Sequence, residues 1–163
     1  MTMVRIDDTL IDGLLAAADA SPRRRSHHRF HASDADPVQR ILIAARPGSY
    51  IRPHCHPSAD KWEFILAVRG RLLFLLFDEA GHVTERIELS PGGACGGLEI
   101  PPGTWHGVAV LDDEAAFAEV KPGPYVADTY AEFSPWAPAE GEPAAAAVEA
   151  WFHTAAVGDR FGA

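Results

Sequence analysis

Three histidines and one glutamate stand at spacings that suit a metal ion. The stretch RPHCHPSADKWE (52–63) sets His54 and His56 one residue apart and ends on a lone carboxylate, Glu63. In an extended chain, residues i and i+2 project to the same side, so the two imidazoles point together while Cys55 points away. Neutral ring nitrogens held side by side ligate one ion. In the following run, KWEFILAV (61–68), Glu63, Ile65 and Ala67 share one face and Trp62, Phe64 and Leu66 the other. An ionised carboxylate on an otherwise apolar face is costly unless it is paired or bound to a cation. A third imidazole, His106, follows the tight turn Pro101-Pro102-Gly103 and shares a face with Val108 and Val110. His54, His56, Glu63 and His106 together make a nitrogen and oxygen donor set suited to a divalent transition metal: iron, manganese, nickel, cobalt or zinc. Three or four protein ligands leave positions for water or substrate, as a catalytic site requires. Glu63 carries a second expectation, that of general base if it is not a ligand. A histidine pair at this spacing is, taken alone, more often a loop feature; the conjunction carries the reading.

Other polar residues fall near these positions. Tyr50 and Arg52 have the parity of His54, and Lys61 that of Glu63, so Tyr50 and Lys61 join Glu63 as candidate catalytic residues. Arg52, His28, His31 and Gln39 are candidate substrate contacts. In RRRSHHRFH (23–31), His27, Arg29 and His31 face one way in an extended chain and His28 and Phe30 the other, and either side could lean over the mouth of the fold. Gln39, Arg40 and Glu119 are polar residues in otherwise apolar strands. For each, a solvated or internally satisfied side chain is the competing reading.

These residues need a rigid frame. Asp7-Asp8 followed by TLIDGLLAAADASP predicts a short capped helix over about 7–20, with Leu10, Ile11, Leu14, Leu15 and Ala18 at helical spacing and Ser21-Pro22 as its stop. From PVQRILIAARPG onward, short apolar runs alternate with turn signals at Pro47-Gly48, Asp78 to Gly81, Pro91 to Gly93, Pro101 to Gly103 and Asp112 to Glu114. That rhythm predicts an antiparallel sandwich or barrel over about 26–122. A C-terminal extension, about 123–163, holds a proline-rich loop and a helical segment in PAAAAVEAWFHTAA. The expectation is one domain over 1–163. The run RLLFLLF (71–77) is apolar on both faces, so the N-terminal helix, the C-terminal segment or a second subunit must cover its outer side; a homodimer is the expected solution.

Composition removes several function classes. A formal net charge of −9 opposes sequence-independent binding to nucleic acid or anionic membrane. Two cysteines are too few for a disulfide scaffold. No apolar stretch approaches a membrane span and no leader-like segment opens the chain, so a cytoplasmic protein binding a small molecule is expected.

The motifs, joined in order, resemble a known family. GSYIRPHCHPSADKWEFILAVRG (48–70) is similar to the first cupin motif, with Gly48, His54-x-His56, Glu63 and Gly70; GLEIPPGTWH (97–106) is similar to the second, with Pro101-x-Gly103-x-x-His106. Two departures stand out. Six residues separate His56 from Glu63, more than the usual cupin spacer, which weakens Glu63 as a ligand, and Val110 replaces a frequent asparagine. Together with EVKPGPY and PWAPAEG, the pattern from about residue 20 to 142 resembles the WbuC family of cupin-fold metalloproteins. The resemblance implies an all-β double-stranded β-helix (jelly-roll barrel), a bound metal, and a place in O-antigen or other surface polysaccharide biosynthesis. Two functions follow as expectations: a metal-dependent enzyme of isomerase, epimerase or oxygenase type acting on a small polar or sugar-derived molecule, or a non-catalytic metal-dependent carbohydrate-binding module.

Overall fold

Asp7 starts the first helix: its carboxylate accepts the Leu10 N–H at 3.1 Å, which satisfies one of the unpaired amides at the helix N-terminus. Helix α1 (Asp8–Ala20) then buries Ile11, Leu15 and Ala18. The computed structural model describes residues 3–162. Ten strands follow α1: β1 (Arg25–Arg29), β2 (Val38–Ala45), β3 (His54–Cys55), β4 (Glu63–Arg69), β5 (Leu72–Phe77), β6 (Val83–Leu89), β7 (Gly97–Ile100), β8 (Trp105–Val110), β9 (Ala115–Pro122) and, after the short helix α2 (Ala127–Tyr130), β10 (Glu132–Phe133). Helix α3 (Ala145–Thr154) comes last.

The strands form two antiparallel five-stranded sheets, ordered β1-β2-β9-β4-β7 and β10-β3-β8-β5-β6. Strand alternation aims one set of side chains from each sheet into a shared interior, where Ile65 and Phe117 of the first sheet meet Leu72, Phe74, Val108 and Val110 of the second. The result is a jelly-roll barrel. Its strands β1 to β9 run from Arg25 to Pro122. The extension contributes more than a helix, since β10 pairs with β3 and lengthens the second sheet.

The outer face of β5 has its cover within the chain. Leu73, Leu75 and Phe77 pack beneath α3 with Val148 and Phe152, and with Trp136, Trp151 and Phe161 around them. Val148 and Phe152 are fully buried, each contributing about 1.5 to 3 kcal/mol. The doubly apolar character of RLLFLLF therefore requires no second subunit. The C-terminal segment, one of the three expected covers, supplies it. Helix α1 packs on the first sheet instead, against Leu42, Ala44 and Ala116.

Gly70 turns the chain from β4 into β5 with φ of +66°, and a Cβ there would run into the Glu114 carbonyl. Gly70→Ala should cost at least about 2 kcal/mol, from left-handed strain plus a backbone clash. A lowered urea midpoint with unchanged slope would report it.

Candidate metal centre and its cavity

Register places the first two ligands. His54 on β3 is the direct cross-strand partner of His106 on β8, so their side chains rise from the same face, with ring centroids 4.4 Å apart. His56 lies just beyond β3, and the turn before β8 is tied to it by the Gly103 N–H, which donates to the His56 carbonyl at 2.8 Å. Glu63 opens β4 in the opposite sheet, where it pairs with Ile100. The barrel interior thus brings three imidazoles from one sheet to one carboxylate from the other. One donor atom from each of the four lies within 4.8 Å of the rest. His56, Glu63 and His106 are buried, while His54 is half-buried.

The hydrogen bonds fix which ring nitrogen is available. Nδ1 of His54 lies 3.0 Å from the Arg52 carbonyl, that of His56 2.7 Å from the Tyr130 carbonyl, and that of His106 2.9 Å from the Thr104 carbonyl. A carbonyl only accepts, so each Nδ1 carries the proton and each neutral ring turns an Nε2 lone pair inward. Those lone pairs face an anion. His56 Nε2 is 3.0 Å from Glu63 Oε1 without the geometry of a hydrogen bond, and it has no other partner; His106 Nε2 is 3.2 Å from Oε2. A cluster of buried acceptors is stable only with a proton or a cation between them. The donor set fits a divalent transition metal, with outer carbonyls orienting each imidazole as metal-bound histidines require.

Electrostatics favour the same protonation states at two of the ligands. Burial, followed by the charge of His106, pushes the His54 imidazolium down to about 3. For Glu63, burial acts upward, but Lys121 and the two histidines outweigh it and hold the carboxyl well below the usual carboxylate range. At His106, burial acts downward and the Glu63 carboxylate outweighs it, raising its affinity for a proton. That is the affinity a bound cation would satisfy instead.

Strand β9 adds a feature that site reasoning from the sequence missed. Lys121 Nζ lies 3.0 Å from Glu63 Oε1 and 2.5 Å from Glu119 Oε1, and 4.7 Å from the Tyr130 ring centroid. Burial acts to weaken the Lys121 ammonium, yet Glu119 and Glu63 hold it above its usual range. Burial raises Glu119, with Lys121 opposing and Glu63 adding to the rise. The signal was present in AAFAEVKP (115–122): Phe117, Glu119 and Lys121 share parity, so two opposite charges follow a core residue on the inward face. Glu119 stood out as a polar residue in an apolar strand, whereas Lys121 did not. Tyr130, whose backbone orients His56, had no comparable signal because it ends the four-residue helix α2, which is too short to leave a periodic pattern.

Of the remaining sequence candidates, Tyr50, Lys61 and His28 lie elsewhere, whereas His31 and Gln39 line an adjoining cavity of about 210 Å3 with Arg25, His27 and Lys121. Tyr50 is not beside His54: it is buried against Phe152 and donates its hydroxyl to the Pro138 carbonyl at 2.9 Å. The parity argument fails there because residues 49–53 are not a strand. Lys61 is not in the cluster, since β4 begins only at Glu63; its ammonium donates to the Gly123 carbonyl at 2.9 Å. His28 turns to the α1 side and stacks edge-on with Phe30. His31 pins the β1–β2 hairpin, accepting the Arg40 N–H on Nδ1 at 3.0 Å. Gln39 is buried and donates to the Asp36 carbonyl at 2.9 Å. Arg52 stays with the site, on a cavity wall with His54 and His56. His27 lines a second cavity, of about 250 Å3, with His54, Glu63, His106, Glu119 and Lys121.

Comparison with known proteins adds a family. A model described as DUF6016, a domain of unknown function, matches residues 6–89, just over half of the chain. The chain belongs to the DUF6016 family. The matched segment of this DUF6016 protein runs from α1 through β6 and includes His54, His56 and Glu63, while His106 lies beyond it. No curated protein matches the sequence. Among solved structures, it is similar to CapF crystallised with the inhibitor 3-isopropenyl-tropolone, at 22% identity and TM-score 0.55, over 69% of this chain and 32% of that one. It is also similar to protein SO0799 from Shewanella oneidensis, at 14% identity and TM-score 0.51, over 66% and 72% of the two chains. A cupin superfamily protein from Desulfitobacterium hafniense matches at 16% identity and TM-score 0.47, over 60% and 76%. The chain spans between 22% and 53% of the length of the first four solved structures it resembles. The DUF6016 chain has an all-β jelly-roll fold of two antiparallel sheets. Among its described residues no helix is long and apolar enough to cross a membrane.

Proposed function

We propose that this protein is a metal-dependent enzyme acting on a small polar molecule. One observation carries the reading: three histidines, each with Nδ1–H held by a backbone carbonyl, gather with Glu63 so that one donor atom of each lies within 4.8 Å of the rest, and two of them turn Nε2 directly on the Glu63 oxygens. His54, His56, His106 and Glu63 would hold the ion. Bound there, it would supply Lewis-acid polarisation of a carbonyl or hydroxyl oxygen. Glu63 serves as a ligand, because its two oxygens face Nε2 of two different imidazoles. Glu119, on the cavity wall and bonded to Lys121, is placed to take and return a proton. A half-buried His54 facing the cavity favours an open coordination sphere over the closed one of a purely structural site. The resemblance to WbuC proteins over about residues 20 to 142 extends the proposal to a sugar-derived substrate of surface polysaccharide synthesis in the cytoplasm.

Elemental analysis and calorimetric melting test the metal. About one equivalent of a transition metal is expected per chain. At free metal about 100-fold above its Kd, binding stabilises by about 2.7 kcal/mol, so chelation should lower Tm by roughly 5 to 11 °C for a chain of this size. A protein that purifies without metal and whose Tm ignores both chelator and added ions would sink the reading.

A further inference from the structure

The chain carries a net charge of −9, yet the space above the imidazoles is positive. A cavity of about 380 Å3 has His54 and His56 in its lining, with Arg23, Arg25 and Arg52 around them and Glu140 at its edge. Three guanidiniums thus line the cavity against one carboxylate, which pairs with Arg23 and Arg25.

The side chains are arranged around that imbalance. Arg25, only 11% exposed, donates to the Tyr50 carbonyl at 2.9 Å and reaches Glu140 at 2.7 Å. Arg23 makes a two-pronged contact with the same carboxylate, both bonds at 2.8 Å. Arg52 has no carboxylate partner among the described residues; it donates to the Ser134 carbonyl at 2.6 Å, and its Nε is buried without a partner. Lys121 adds no surplus, since Glu63 and Glu119 already surround it. Arg52 is half-buried, so its unpaired charge is partly desolvated at a cost, and guanidiniums held in place are preorganised for planar or tetrahedral oxyanions. Glu140 is 32% exposed and sits on a turn closed by the Glu142 N–H donating to the Ala139 carbonyl, so it can swing away without disturbing the barrel.

We infer that the cavity takes an anionic ligand, whose oxyanion group docks on Arg25 and Arg52 by exchanging with Glu140, an internal carboxylate holding the place. This rests on the metal reading only in that the rest of the ligand would then lie over His54. The shared chemistry is an oxyanion on a small molecule; a carboxylic acid and a phosphate ester are its two sources.

Calorimetric titration with malonate, inorganic phosphate and glucose tests the inference on wild type, Glu140→Gln, Arg25→Gln and Arg52→Gln, with metal content measured on each sample. Wild type should bind malonate or phosphate and give no heat with glucose; the tighter anion identifies the source. Glu140→Gln should bind it about tenfold more tightly, having lost the competing charge-assisted bonds. Arg25→Gln and Arg52→Gln should each weaken it by about tenfold or more, at unchanged metal content. An affinity unmoved by Glu140→Gln, glucose binding equal to the anions, or anion binding that needs the metal and ignores Arg52→Gln would overturn it. Absence of metal from every sample would defeat the metalloenzyme reading and leave these titrations fully interpretable. Arg25 also tethers Tyr50, so Glu140→Gln, at the cavity edge, decides the case should Arg25→Gln fail to fold.

Discussion

Replacing Glu63 with glutamine is expected to lower metal affinity by at least about 100-fold, the upper range seen when even outer-shell partners of a metal site are removed. The fold should survive. Glutamine keeps the volume, and its amide nitrogen can donate to one of the two Nε2 lone pairs that Glu63 Oε1 and Oε2 now face, leaving the other imidazole free to take up a proton. Lys121 keeps Glu119 as a counter-charge. The variant should therefore show native near-ultraviolet dichroism, no bound metal, and a Tm that no longer responds to chelator. His106→Ala should lose metal comparably, with an additional stability deficit from the vacated buried volume. Full metal occupancy in Glu63→Gln would remove Glu63 from the ligand set and return it to the role of general base.

Lys121→Met should be the most destabilising single change near the site. Lys121 stands between two buried carboxylates, and breaking a buried ion pair by deleting one partner costs about 3 to 5 kcal/mol. In chelator and at neutral pH, urea denaturation should show a loss of that size. The pH dependence has a definite sign. Glu119 is already raised by burial and by Glu63, and without Lys121 its folded pKa climbs further above the unfolded value. A native state that binds more protons gains stability as pH falls, so the deficit should shrink on mild acidification. Adding Glu119→Gln to Lys121→Met should recover much of the loss, and a deficit that is equal at both pH values would refute the buried-charge explanation.

Much of this site could be read from the chain because strand alternation is local. His54 with His56, Glu63 with Ile65, and His106 with Val108 each follow from a period of two, which needs no knowledge of the partner strand. The same rule fails where the strand stops. Tyr50 and Lys61 were placed by parity across segments bent by Pro53 and by the 57–62 turn, and both belong to the scaffold. Lys121 could have been found by that rule and was overlooked. The cover of β5 could not be found: a doubly apolar strand announces that something packs on it, but not that the something is α3, some seventy residues on.

The sequence by itself determined the donor atoms, their spacing, the turn that precedes His106 and the all-β rhythm that carries them. Only the tertiary structure decided that His54 and His106 are cross-strand partners, that Glu63 arrives from the facing sheet, and that three backbone carbonyls, one of them from Tyr130, choose the ring nitrogen left for a metal. The reason is physical. Side-chain direction along a strand is set by neighbouring dihedral angles, whereas the meeting of strands remote in sequence is set by closure of the whole barrel around its core.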